Sequence, residues 1–116
     1  MKKAVLALVA AVAITSAHAM SIRELRTLGA VSNEGETYVL YYLVGVLEGL
    51  REAGAIAARA GQPKPFCVDE RKFVPAMAAV MYQDELRRGA DAYEADMPVQ
   101  LVLAAALRRA HACASQ

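Results

Sequence analysis

Residues 63–70 read PKPFCVDE, and this stretch divides the chain. Pro63 and Pro65 lack the backbone N–H that a continuing helix needs, so any helical pattern before them stops here. Cys67 follows at once. The only other cysteine is Cys113, three residues from the end. Upstream, Glu36 to Ala60 reads as one long helix with Gly61 as its C′ residue. Its apolar positions Val39, Leu43, Val46, Leu50, Ala53 and Ala57 recur by fours and threes, a helical stripe and not a strand alternation. Glu48, Arg51, Glu52 and Arg59 fall on the far side. A second set, Tyr38, Tyr42, Gly45, Gly49 and Ile56, lies about 100° round the helix. Gly45 and Gly49 form a GxxxG step, but charges interrupt the run and exclude a bilayer-spanning dimer motif. In water two interior glycines destabilise a helix unless something packs closely on them. They are expected to be helix-packing positions of a central helix that touches neighbours on two sides. The alternative is a homodimer seam.

Downstream, a third helix is expected from near Val74, with Pro75 in its first turn, where a missing N–H costs nothing. Met77, Val80 and Met81 are its apolar residues. Gln83 to Arg88 turns charged, which points that end to solvent. Gly89 to Met97 is a polar connector containing Asp91, Tyr93, Glu94 and Asp96. The fourth helix is expected to open on Asp96 as a cap, with Pro98 in the first turn. Val99, Val102, Leu103, Ala106, Leu107 and Ala110 recur at i, i+3, i+4, i+7, i+8 and i+11, a buried face. Arg108 and Arg109 suit the negative end of its dipole. Short links between successive helices favour antiparallel neighbours.

The N-terminus sets the compartment. MKKAVLALVAAVAITSAHAM carries Lys2 and Lys3, then an apolar run of 11 residues from Ala4 to Ile14, then Ala17-His18-Ala19. These are the three parts of a secretory signal, with cleavage expected after Ala19. The run falls short of the roughly 20 residues that a membrane anchor needs. Processing would leave residues 20–116 as one small domain of 97 residues, soluble and exported to the periplasm, with no stable membrane insertion. That domain would hold 11 basic and 12 acidic residues, a net charge of −1, which argues against nucleic acid or an anionic membrane surface as partner. An oxidising compartment makes a Cys67–Cys113 disulfide the default. It would close the third and fourth helices at their base and tie down the proline-rich segment. At the start of the domain, Ser21-Ile22-Arg23-Glu24 is a capping box, with Met20 and Leu25 at the staple positions. Gly29 is expected to end this short first helix. A polar link from Ser32 to Gly35 follows, with Asn33 and Glu36 as a second cap pair. The whole reads as an all-α, small four-helix bundle-like domain stapled by one disulfide.

Reactive chemistry is scarce. The processed chain holds one histidine, His111, and no serine with a plausible histidine and carboxylate pattern. There is no glycine-rich phosphate loop after a strand. Cys67, His111, Cys113 and Asp69 are zinc-ligand types, yet their spacing matches no familiar zinc pattern and export favours the disulfide. No metal, cofactor or catalytic residue is expected. The tyrosine run Tyr38, Tyr41 and Tyr42 reads as helix packing.

Three segments, taken in order, resemble a known family. They are Tyr42-Leu43-Val44-Gly45-Val46-Leu47-Glu48-Gly49-Leu50, Phe66-Cys67-Val68, and Ala106-Leu107-Arg108-Arg109-Ala110-His111-Ala112-Cys113. Their order and spacing are similar to those of the Rap/Tai periplasmic immunity proteins, which protect bacteria against peptidoglycan-cleaving amidase effectors delivered by type VI secretion. The resemblance covers nearly all of the processed chain. That family usually has two further cysteines, at the end of the first helix and just before the tyrosine–glycine helix. Gly29 and Val39 stand in those places here, as though a whole disulfide had been lost. The family's closing Phe-Pro is His111-Ala112, and the proline after its Phe-Cys step is replaced near Asp69.

The resemblance implies a binding protein, not an enzyme, whose partner is a secreted amidase effector and whose action is to cover that effector's active site. Specific blocking needs a rigid, polar-rimmed feature with a buried anchor. The Gly89–Met97 connector is the candidate, with Tyr93 as anchor and Asp91, Glu94 and Asp96 as hydrogen-bond acceptors. The rival reading is a small periplasmic acid-stress chaperone. A third is an orphan family member with no cognate toxin.

Overall fold

The computed structural model describes residues 19–114. The expected signal segment, apart from Ala19, lies outside the described residues. The described residues form four helices and no strand: α1 (Ile22–Val31), α2 (Asn33–Arg59), α3 (Pro75–Arg88) and α4 (Val99–Ala110). Helix α1 packs on α2, α2 on α3, α3 on α4, and α4 returns against α2. This is the expected all-α, disulfide-stapled arrangement.

The capping box opens α1. Ser21 Oγ accepts from the Glu24 N–H at 3.1 Å, and Glu24 Oε2 accepts from the Ser21 N–H at 2.7 Å. Gly29 does not end the helix, which continues to Val31. The expected four-residue link contracts to Ser32 alone, which ends α1 and caps α2 by accepting from the Gly35 N–H at 3.1 Å. The cap therefore falls one residue before Asn33. Such a sharp corner needs Gly35, because a Cβ there would collide with the Leu28 carbonyl oxygen. At its other end α2 stops as expected. Gly61 takes φ +81°, its N–H donates to Ala58 O, and the Gln62 N–H donates to Ala57 O. That is a Schellman ending.

The core is built from Ile22, Leu25, Leu43, Leu47, Phe66, Phe73, Ala78, Tyr82, Val99, Val102, Leu103 and Leu107. Helix α4 buries five of its six expected positions, while Ala110 is exposed. The buried line of α2 runs through Gly35, Leu43 and Leu47, rotated from the expected stripe, and Ala53 is exposed. Helix α3 departs further. Its buried residues are Ala78, Tyr82 and Glu85, while Met77 and Val80 are exposed at 42% and 59%. Of the three apolar residues named from the sequence only Met81 packs on the core, while the Glu85 carboxylate occupies an inward position. Helix α4 starts on Pro98, with no side-chain cap; Asp96 lies two residues too early for that role.

Residues 62–74 carry no helix, yet they are held at several points. Phe66 is buried against Gly54 of α2, with its ring 3.6 Å from where a Cβ would sit. The Cys67–Cys113 disulfide, with Cα atoms 4.8 Å apart, ties this segment to the residues after α4. The Cys67 N–H also donates to His111 O at 2.7 Å.

Candidate functional site

Two clusters hold the chain's polar organisation. At the disulfide end, Arg51 and Glu48 of α2 turn toward the 69–73 segment instead of facing solvent as their positions suggested. The Arg51 guanidinium lies 4.4 Å above the Phe73 ring and donates to Arg71 O at 2.5 Å. Glu48 Oε1 accepts from the Phe73 N–H at 3.2 Å. Phe73 meets His111 edge-on, with ring centres 6.3 Å apart. Asp69 pairs with Arg71 at 2.7 Å, and the hydrogen bonds from Arg71 hold its carboxyl below the usual range. Both cysteines are in the disulfide. No group of three or more potential metal ligands occurs among the described residues.

The second cluster centres on the connector. Tyr93 does not point outward as an anchor. Its ring packs on the core and against Gly89, where a Cβ would come within 2.6 Å of Cε2. Its hydroxyl donates to Glu85 Oε1 at 2.8 Å. Glu85 is 4% exposed, and a buried carboxylate demands partners. Arg109 supplies the rest, with Nε donating to Oε2 at 3.0 Å and Nη2 to Oε1 at 3.3 Å. These Arg109 hydrogen bonds hold the Glu85 carboxyl below its ordinary value, more than burial raises it. Burial, then the Glu85 hydrogen bond, pushes the Tyr93 phenol up.

The connector is docked as well as folded. Its carbonyls accept from the first turn of α1: Ile22 N–H to Met97 O at 3.0 Å, and Arg23 N–H to Ala95 O at 2.8 Å. Ser21 and Pro98 form an antiparallel bridge, and the Val99 N–H donates to Met20 O at 2.9 Å. The Met20 N–H donates to the Tyr42 hydroxyl at 3.1 Å. Asp91, Glu94 and Asp96 are all exposed on this docked segment, and Asp96 pairs loosely with Arg23 at 3.3 Å. Three of the four expected contact residues are thus exposed on the connector, while the fourth, Tyr93, is half-buried. Glu85 was legible only by treating Ala78, Tyr82 and Glu85 as one i, i+4, i+7 line that admits a charge.

Gly45 and Gly49, expected to receive a close neighbour, receive none among the described residues. Both are exposed, and a Cβ on either would meet nothing within 4 Å. Tyr38 and Tyr41 stand out in solvent on the same helix at 64% and 65% exposure. A groove of about 510 Å³ opens between α1, α2 and α3, lined by Leu25, Gly29, Val39 and Tyr82 with Arg26 and Glu36. Burial pushes the Tyr82 phenol up. No helix of the described residues is long and apolar enough to cross a membrane.

Comparison with known proteins returns no matching family model, curated protein or solved structure.

Proposed function

We propose that the chain is an exported helical inhibitor of the periplasmic immunity class, which covers the active site of a peptidoglycan-cleaving amidase effector delivered by type VI secretion. The observation that carries this reading is the contact between Gly29 and Val39. Resemblance to the Rap/Tai proteins puts a second cysteine pair at these positions. An ideal Cβ on Gly29 would lie 3.5 Å from Val39 Cγ2. Val39 Cγ2 stands one bond beyond its own Cβ, where a cysteine's Sγ would stand, so the two side chains are direct neighbours, as a bridged pair must be. Helical periodicity does not require residues on either side of the Ser32 corner to meet there. The formed Cys67–Cys113 bridge further supports an oxidising compartment.

The binding feature in this reading is the docked connector. Asp91, Glu94 and Asp96 offer acceptors to the effector, and Tyr93 with Glu85 and Arg109 keeps that edge rigid. A preorganised edge loses little conformational freedom on binding. The test is capture of amidase effectors by the immobilised chain, followed by affinity and amidase-inhibition measurements. Asp91→Ala with Glu94→Ala should weaken binding without lowering the melting temperature. Unchanged affinity would place the contact surface elsewhere, and failure to bind or inhibit any amidase effector would remove the reading.

One observation favours the acid-stress chaperone instead. Val74, Met77, Val80 and Leu101 are large, apolar and exposed, and the nearby Glu85 network loses its charge in acid. Suppression of aggregation of unrelated proteins at low pH, with no effector bound, would select that reading.

A further inference from the structure

The exposed face of α2 mirrors itself about Leu47. Nine residues before and after Leu47 stand Tyr38 and Ile56, six away stand Tyr41 and Ala53, and two away stand Gly45 and Gly49. Tyr38, Gly45, Gly49 and Ile56 fall within a lane about 40° wide on a helix of 3.6 residues per turn. Tyr38, Tyr41 and Ile56 are 64%, 65% and 54% exposed, and the two glycines between them carry nothing that blocks a close approach. The charges on one flank mirror to within one residue. Glu34 lies thirteen residues before Leu47 and Arg59 twelve after it, both exposed.

We infer that this face is the seam of a two-fold homodimer in which α2 pairs antiparallel with α2 of a second copy. The glycines alone would not argue for it; three exposed large side chains and the mirrored charges do. In an isologous contact each residue meets its mirror position. Tyr38 covers the partner's Ile56, Gly45 lies against the partner's Gly49, and Glu34 faces the partner's Arg59. Tyr41 brings its hydroxyl to the partner's Glu52. Within one chain Arg59 rests on Glu52 at 3.1 Å, with both side chains about two-thirds exposed. An ion pair so exposed contributes little, so Arg59 is free to change partners. A parallel pairing would set Glu34 and Glu36 against their own copies, and it would stack the two helix dipoles unfavourably.

The 27 residues of α2 extend for about 40 Å. A seam of that length and one side chain either way buries on the order of 1,000 Å² in total, the lower bound for a specific interface. The dimer is therefore weak and concentration-dependent. It does not rest on the effector reading, because it uses a different face from the connector.

Sedimentation equilibrium of the purified chain over a wide concentration range should show a monomer–dimer equilibrium. Gly49→Arg should abolish the dimer with the far-UV circular dichroism and melting temperature kept, because position 49 is open. Glu34→Arg and Arg59→Glu should each raise the dissociation constant roughly two- to fivefold, the scale of an exposed ion pair. The double reversal should restore it. A chain that stays monomeric throughout would overturn the inference, as would a dimer indifferent to Gly49→Arg. Charge reversals that do not compensate would overturn the antiparallel register.

Discussion

Gly29 of α1 and Val39 of α2 face each other across the Ser32 corner, with room for a Cβ on Gly29 at 3.5 Å from Val39 Cγ2. Cysteines introduced together, Gly29→Cys with Val39→Cys, should oxidise to a second disulfide. Closing so short a loop stabilises by at most about 3 kcal/mol on the chain-entropy model. Mass spectrometry should show two bridges and no free thiol. The melting temperature should rise by several degrees when oxidised and fall back under reductant. Failure to bridge would show that α1 and α2 do not meet at this corner, and would remove the main support for the immunity reading.

Glu85 ties α3 to Arg109 of α4 and to Tyr93 of the connector. Its carboxyl is held below the ordinary value of about 4.3. A depressed folded-state value means stabilisation that is present above the unfolded value and lost as pH falls through the folded one. Stability should therefore decline from about pH 4.3 downward. Glu85→Gln should lower neutral-pH stability and flatten that decline. Denaturant titrations at a series of pH values would measure both effects.

Tyr93→Phe removes one donor to Glu85 and keeps the ring on Gly89, so it should cost about 1 kcal/mol. Tyr93→Ala should cost more, because a buried ring contact is lost as well. If Tyr93 were instead a solvent-facing anchor, both variants would leave chemical denaturation midpoints unchanged.

Reduction of Cys67–Cys113, or replacement of both by alanine, releases a bridge spanning a sequence separation of 46. The loss should be about 4 kcal/mol on the same model. The 62–74 segment should loosen first, because Phe66 and the Arg51 contacts are its other main holds. Faster amide hydrogen exchange at Cys67 and Phe73 than in α4 would check that order.

Two glycine substitutions should have opposite effects. Gly35→Ala places a Cβ against the Leu28 carbonyl and should destabilise by about 1–3 kcal/mol. Gly45→Ala meets nothing within 4 Å and should stabilise the isolated helix by roughly 0.5–1 kcal/mol. Thermal unfolding at low protein concentration compares the two directly.

By itself the sequence determined where helices begin and end wherever the signal is local. Ser21 and Glu24 cap within three residues, Gly61 takes its positive φ within one turn, and two prolines stop a helix regardless of what surrounds them. The inward face of α4 was legible because its positions from Val99 to Leu107 are aliphatic at helical spacing, with arginines confined to the last turn. The connector's three carboxylates were legible as surface, because an unpaired charge is costly to bury. Tertiary structure alone decided which side of α3 faces in, since Glu85 becomes tolerable inside only when Arg109 and Tyr93 arrive from more than seven residues away. It also decided that Arg51 and Glu48 turn to the 69–73 segment, that Tyr93 is half-buried with its hydroxyl on Glu85, and that the Gly45–Gly49 face stays open. Capping and turn preferences are energies of neighbouring backbone groups, so they are written in short stretches of chain. Burial of a charge, or exposure of a glycine face, depends on which distant element packs there, and no local pattern carries that.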